Sequence, residues 1–408
     1  MRFLVLTQYF PPEIGAPQAR LSSMVRELAS LGHEVEIVTA MPNYPQGSIF
    51  PDYAGRFYRR DEWNGIPVHR VWLYAAMGAG VKRMINYGSF TATALYGLMR
   101  AKKPDYVFVE SPPLFLSVPA WLASRYWGVP MIFNVADLWP DSIRELGLVR
   151  EGLFLRVADR LEAWTYRRAA FVNTVTEGIR DTLRDAKHVP ARKLLFMPNG
   201  VDTELFKPGR RDEALARELG LDGRKVILYA GTLGFAQGLD VAVDAMDRLQ
   251  SDVPDAVLVF LGSGSDKSRL VEEVRSRGIG SVRFLDPVPL ESVARMYSIA
   301  YAGFASLKDL PLFEGARPSK IFPIMASGKP VVYSGKGEGA RLVEKAGAGL
   351  VTKPGDADAL ADAIRFLIHN PEQAEAMGRD ARAFVEENCA WPALVRHWLN
   401  QLEERSDR

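Results

Sequence analysis

The sequence has 408 residues, enough for two domains of ordinary size. Its 48% hydrophobic and 25% charged residues exclude disorder on the scale of the whole molecule. The single cysteine, Cys389, excludes an intrachain disulfide and fits a reducing compartment, so the expected location is the cytoplasm.

The net charge of +2 hides an uneven split. Residues 1–200 carry 24 Lys+Arg against 18 Asp+Glu, a balance of +6, and residues 201–408 carry 27 against 31, a balance of −4. A basic first half suits an anionic surface such as phospholipid headgroups or a lipid diphosphate, and an uneven surface without function gives the same count. No basic run or zinc-ligand spacing accompanies the excess, so nucleic acid is not an expected partner. No run of about 18 apolar residues reads as a spanning helix. The opening MRFLVLTQYF reads as a strand, not as a cleaved leader.

Short apolar runs alternate with helical patterns along the chain. The first half offers strands at 3–10, 34–40, 68–74, 106–110, 130–135, 171–175 and 194–198. The second half offers 225–231, 256–262, 282–286, 301–307, 330–334 and 349–353. Most are near-continuous rather than alternating, which suits parallel strands covered on both faces. Between the first two strands, Leu21, Met24, Val25 and Leu28 recur at helical spacing. The fold class is therefore α/β, with two doubly wound parallel-sheet domains. Asn199-Gly200 and Pro208-Gly209 punctuate the boundary, giving a first domain at 1–203 and a second at 204–390. Residues 391–408 form a terminal helix whose Trp391, Leu394, Val395, Trp398 and Leu402 must dock, and the first domain is the expected partner. Such sheets bind ligands at strand carboxyl ends, and two facing domains make a cleft.

Six stretches can carry chemistry. In YFPPEIGAP (9–17), Gly15 and Ala16 leave room beside a ligand, or simply form a tight turn. Residues 81–103 have basic ends and an apolar middle, which suits an interfacial helix; a buried helix gives the same pattern. In NVADLWPDS (134–142), Asp137 ends a strand, where a carboxylate can take a proton from an attacking hydroxyl or cap the next segment. Trp139 suits stacking on a sugar or packing, and Glu110 ends the preceding strand on the acceptor side. In AGTLGFAQGLD (230–240), Gly231, Gly234 and Gly238 let phosphate oxygens approach backbone N–H groups, although such glycines are common in any α/β fold. LGSGSD (261–266), with Gly262, lacks the full dinucleotide spacing. In DLPLFEGARPSKIFPIMASGKPVVYSG (309–335), Ser319 can cap a helix while Arg317 and Lys320 set two cations round its first turn, the makings of a diphosphate site.

These stretches resemble the GT-B glycosyltransferases of family 4, over nearly the whole length. PNGVDTELFKP (198–208) and SKIFPIMASGKPVV (319–332) carry the resemblance. YFPPEIGAPQAR (9–20), DLWPDS (137–142), AGTLGFAQGLD and PSKIF (318–322) resemble the branch that transfers N-acetyl-L-fucosamine in bacterial surface-polysaccharide assembly. The resemblance implies a nucleotide-sugar donor, UDP-linked, held by the C-terminal domain as co-substrate, with no other cofactor and no metal. It implies a lipid-linked or glycan acceptor on the N-terminal domain, peripheral contact with the inner face of the cytoplasmic membrane, and retention of anomeric configuration. Matching positions place the base near Pro287 and Val288, and the diphosphate near Gly231, Thr232, Gln237, Gly262 and Ser319, with Gly15 bordering it. Asp137, Arg317 and Lys320 are the expected catalytic residues. Relatives carry an Arg and a Lys where Thr232 and Gln237 stand. Relatives also carry two glutamates eight positions apart; here Gly315 and Pro323 stand there, with Glu314 one position off. A catalytically silent scaffold, a sugar-nucleotide epimerase and a phosphorylase remain competing expectations.

Overall fold

The computed structural model describes residues 1–13, 15–76, 81–145 and 152–406, with the side chains of Ala16, Val81, Glu145 and Leu312 outside that description. The chain divides into two compact units, Met1–Asn199 with Leu394–Arg408, and Gly200–Ala393. The divide falls at Asn199–Gly200, four residues before the 203–204 boundary expected from the linker composition.

The first unit holds strands β1 (Arg2–Leu6), β2 (Glu34–Ala40), β3 (Tyr58–Trp63), β4 (Ile66–Val71), β5 (Tyr106–Ser111), β6 (Met131–Val135), β7 (Phe171–Thr174) and β8 (Leu194–Phe196). They form one sheet in the order β3-β4-β2-β1-β5-β6-β7-β8. Every pairing is parallel except β3 with β4. The helices are α1 (Ala16–Ser30), α2 (Val81–Arg100), α3 (Ser117–Trp127), α4 (Asp141–Glu145), α5 (Leu153–Arg168) and α6 (Glu177–Asp185). Successive strand residues point to opposite faces. Leu4, Leu6, Val107 and Val109 thus share a core with Phe90 and Leu98 of α2. Phe3 and Phe108 lie on the other face, against Trp398.

Helix α2 packs one face on the sheet, the buried-helix alternative that residues 81–103 allowed. Phe90, Ala94 and Leu98 are buried. A Cβ on Gly97 would meet Val38 Cγ1 at 2.7 Å, so α2 lies close on the sheet.

Strand β3 went unforeseen because YRRDEW has no apolar run. It is an edge strand, and charged side chains there discourage pairing with other chains. The turn that makes the hairpin, Asn64-Gly65, has positive φ at both residues (48° and 79°), the geometry that favours this dipeptide. That signal was present in the sequence.

The second unit holds β9 (Lys225–Ala230), β10 (Ala256–Leu261), β11 (Val282–Leu285), β12 (Ala300–Ser306), β13 (Val331–Ser334) and β14 (Gly349–Thr352). They form an all-parallel sheet in the order β11-β10-β9-β12-β13-β14. Its helices are α7 (Glu213–Glu218), α8 (Asp240–Leu249), α9 (Lys267–Ser276), α10 (Leu290–Ile299), α11 (Ile321–Ala326), α12 (Gly337–Lys345), α13 (Ala357–His369) and α14 (Pro371–Asn388). Strand β10, AVLVFL, is buried throughout: Val257, Val259 and Leu261 join one core, and Leu258 and Phe260 the other. This explains its unbroken apolar run. Arg382 ties the unit's entry segment to α11, donating through Nη1 to the carbonyls of Thr203, Phe206 and Ala326 at 3.1, 2.8 and 2.7 Å.

Helix α15 (Trp391–Ser406) closes the chain, and from Leu394 it belongs to the first unit. Trp398 is wholly buried and donates through Nε1 to Asn173 Oδ1 at 3.0 Å.

Candidate active site

The second unit builds its site at the carboxyl ends of β9 and β10. Gly231 follows β9 with φ +143°, and Gly262 follows β10 with φ +150°, both in the region that favours glycine. The two turns touch: a Cβ on Gly262 would lie 2.0 Å from the Gly231 carbonyl oxygen. Gly231 N donates to Leu261 O at 2.9 Å, and Leu233 N to Ser263 O at 2.9 Å, so the turns are stapled together. Tyr229 Oη donates to Thr232 O at 2.5 Å from beneath.

Lys320 lies against this turn. A Cβ on Gly231 would meet Lys320 Cε at 2.5 Å. Its ammonium sits 5.4 Å from the centre of the Tyr229 ring, within reach of the ring's negative face. It has no carboxylate partner among the described residues. Burial pushes the ammonium down to about 8 from its usual 10.5. A cation beside a glycine turn, with an aromatic face and no carboxylate among the described residues, has the chemistry to receive an anion.

Arg317 is not the open cation that the sequence suggests. Its Nη2 lies 2.8 Å from Glu338 Oε1, and both side chains are mostly buried. Its charge is neutralised inside the protein, and its Nε has no partner. Glu338 had no signal in the sequence, because α12 begins 20 residues beyond Arg317. Ser319 does not cap a helix either: α11 starts at Ile321, its N-cap is Lys320, and no side chain caps it. Ser319 and Glu314 are exposed. The backbone of Glu314 holds the start of α12, its carbonyl accepting from Glu338 N at 2.8 Å. Pro323 lies within α11 and is half-buried, so no carboxylate occupies that helical position.

Thr232 is exposed beside Gly231. Gln237 turns back, its Oε1 accepting from Gly234 N at 3.1 Å, which occupies that oxygen within the loop. Pro287 and Val288 follow β11, the first exposed and the second half-buried against the core. The structure therefore brings Gly231, Gly262 and Lys320 together directly. It sets Thr232 beside them and gives Arg317 a structural pairing.

In the first unit, Gly15 opens α1 at an extended φ of 172°. A Cβ there would lie 2.6 Å from Gln18 Oε1, so the end of the Gln18 side chain rests against this glycine. Gln18 is 3% exposed, and that oxygen has no partner. The first turn of α1 has no side-chain cap and no acidic residue, so its N–H groups form a positive end. The side chain of Ala16 lies outside the described residues.

Glu110 is 2% exposed, not an open acceptor contact. It pairs with Arg20 and accepts from Asn134 Nδ2 at 2.6 Å. Asn134 Oδ1 accepts from Asn173 Nδ2 at 2.6 Å, and Asn173 receives Trp398. This buried line links α1, the strand ends of β5, β6 and β7, and α15. Burial is the main force raising the Glu110 carboxyl, and Arg20 opposes it. None of this was legible, because its members are scattered over 379 positions from Arg20 to Trp398.

Asp137 sits past the end of β6 and is exposed. Ser142 Oγ donates to its Oδ2 at 3.0 Å. Burial against the protein raises its carboxyl, and the hydrogen bonds from Ser142 and the Leu138 backbone oppose that rise. Trp139 is half-buried, edge-on to Phe115 and Phe154 at 5.7 and 6.0 Å, so its ring packs.

The comparisons with known proteins agree with this architecture. Residues 15–200 match the Glycosyl transferase 4-like domain, and residues 211–384 match the Glycosyl transferases group 1 family. WcaI of Escherichia coli (strain K12), named for colanic acid biosynthesis and glycosyl transfer, is 28% identical over 98% of this chain and 100% of its own length. Among solved structures, sucrose-phosphate synthase from Thermosynechococcus elongatus superposes with a TM-score of 0.75 at 19% identity, covering 100% of this chain and 99% of that one. Anabaena Alr3699/HepE in complex with UDP-glucose superposes with a TM-score of 0.72 at 18% identity, covering 99% and 100%. With two parallel-sheet units, a glycine-lined site in the second and these matches over most of its length, the chain belongs to the GT-B glycosyltransferases of family 4.

Proposed function

We propose that the chain transfers a sugar from a nucleoside-diphosphate donor, UDP-linked, to a lipid-linked or glycan acceptor in bacterial surface-polysaccharide synthesis, in the cytoplasm. The observation that carries this reading is Lys320, a cation without a carboxylate partner among the described residues, set against the Gly231 turn. The donor diphosphate lies over that turn. Breaking the glycosidic bond leaves negative charge on the departing diphosphate, and a fixed ammonium stabilises that charge more than the ground state. Thr232 borders the phosphates, and Pro287 and Val288 border the base. Arg317 acts by holding Glu338 and hence the loop that carries Lys320. Asp137 orients or deprotonates the acceptor hydroxyl.

The choice of UDP is supported by the UDP-glucose complex of Alr3699/HepE, and the surface-polysaccharide acceptor by the name of WcaI. The donor sugar of the proposal is N-acetyl-L-fucosamine or a related amino sugar, on the motifs quoted above. Turnover of a panel of UDP-sugars with a lipid-diphosphate acceptor tests the reading. Lys320→Met is expected to lose more than tenfold in turnover, and Asp137→Asn to fall as well. Full activity in Lys320→Met removes the diphosphate role, and full activity in Asp137→Asn removes the base role.

Pro323 favours a second reading, a silent scaffold. It lacks the carboxylate that relatives carry there, and a lost charged hydrogen bond to a ligand costs roughly 1.5–3 kcal/mol. Absence of both turnover and nucleotide binding would support the scaffold.

A further inference from the structure

The loop from Gly231 to Gly238 carries no charged side chain. Thr232 is neutral, and Gln237 spends its Oε1 on Gly234 N within the loop. Arg317 is neutralised by Glu338. Each phosphate of a sugar nucleotide carries negative charge, and the one ammonium of Lys320 opposes only part of it.

A second lysine lies on the same loop. Lys308 follows β12, whose end is fastened to the loop by two hydrogen bonds. Lys308 N donates to Ala236 O at 3.0 Å, and Ser306 Oγ donates to Gln237 O at 2.7 Å. A Cβ on Gly238, where φ is +58°, would meet Lys308 Cγ at 2.9 Å. The Lys308 stem thus rests on the glycine that ends the loop, as the Lys320 stem rests on the glycine that begins it. The Lys308 ammonium sits 2.9 Å from the centre of the Phe235 ring, and Phe235 is 67% exposed. It has no carboxylate partner among the described residues. The acids around it are engaged. Asp309 holds Lys336 at 2.6 Å, and Asp266 and Asp240 hold Arg269 at 2.7 and 2.6 Å.

We propose that Lys308 is the second cation of the donor site, reaching the donor's diphosphate from the Gly238 end of the loop while Lys320 reaches it from the Gly231 end. The face of a phenyl ring holds an ammonium more weakly than a phosphate oxygen does, so Phe235 is a resting place that the ammonium leaves when the donor arrives. The four-carbon stem allows that swing while the backbone stays fixed to Ala236. The inference rests on the donor reading above and deepens it, by giving the second charge of the diphosphate its own partner.

The test is calorimetric titration of the full chain with UDP, on the parent and on Lys308→Met, Lys308→Arg, Lys320→Met and Lys345→Met. Methionine keeps an apolar stem against Gly238 and removes the ammonium, whereas arginine keeps the charge. Lys308→Met is expected to bind UDP at least about tenfold more weakly than the parent. Lys308→Arg is expected to stay within about threefold of the parent, since a guanidinium also pairs with phosphate. Lys345→Met removes an exposed charge at the far end of α12 and is expected to bind as the parent does. Melting temperatures equal to the parent's show that the variants are folded, and Lys308→Gln takes the place of Lys308→Met if that variant melts early. Binding that is lost in Lys320→Met and unchanged in Lys308→Met overturns the inference and leaves the donor reading standing. Equal losses in Lys308→Met and Lys345→Met, or a Lys308→Arg as weak as Lys308→Met, overturn it as well. No binding of UDP by the parent overturns the donor reading, and this inference with it.

Discussion

Lys320 is a costly residue to keep where it is. An ammonium packed against a glycine turn without a counter-ion disfavours its own charged state, as its descent to about 8 records. The unfolded chain binds that proton more tightly than the folded one between about 8 and 10.5, so the cost is fully present below 8 and disappears as pH rises through that window. Replacing it with methionine should therefore raise the stability of the nucleotide-free protein at pH 7 by about 1–2 kcal/mol, allowing for the solvent-open part of the side chain. Urea unfolding at pH 7 and pH 10 measures this: the gain should shrink at the higher pH. A loss of stability at pH 7 would contradict the account. Glu338 behaves oppositely. Glu338→Gln leaves Arg317 buried without its counter-charge, and a loss of about 3–5 kcal/mol is expected in the same measurement. The sequence exposed Lys320, because PSKIF is local. It hid the pairing of Arg317, because the partner sits on another helix and only folding brings them together. Ser319 looked like a cap because a polar residue precedes an apolar run; the helix begins two residues later, and its first turn is left uncapped.

The elements follow from patterns that the chain states openly. Runs such as VLVFL and EVEIVTA became buried parallel strands because both faces are covered. Strand β3 escaped because its only local mark is the turn that follows it, and its edge position favours charge. The glycine turns at 231 and 262 were legible as glycines but not as neighbours, since their contact joins two strands. Gly262→Ala pushes a methyl group into the Gly231 carbonyl at a positive φ. The expected result is a clear fall in melting temperature together with loss of nucleotide binding. An unchanged melting curve would show that the turns have more room. At α15, Trp398→Phe removes the donor to Asn173 and leaves a buried oxygen unpaired, a cost of about 1–3 kcal/mol. Urea unfolding followed by a probe in the first unit measures it, and a transition at the parent's midpoint would refute the cost.

At the scale of the whole molecule, the division into two α/β units was written in the alternation of strands and helices and in the punctuation near residue 200. The charge asymmetry of the halves was visible as a sum, but not its location. Amphipathicity alone singled out residues 81–103, whereas folding turned the apolar middle of α2 inward. The central claim concerns the second unit, that Lys320 and the Gly231 turn hold the diphosphate of a donor. Calorimetric titration of the full chain with UDP, GDP and ADP, on the parent and on Lys320→Met at pH 7 and pH 9, tests it most directly. The account predicts saturable binding of UDP by the parent, weaker at pH 9 as the ammonium loses its proton, and at least about tenfold weaker binding with little pH dependence in Lys320→Met. Equal UDP affinity in the parent and Lys320→Met, or no binding of any nucleotide by the parent, would contradict it.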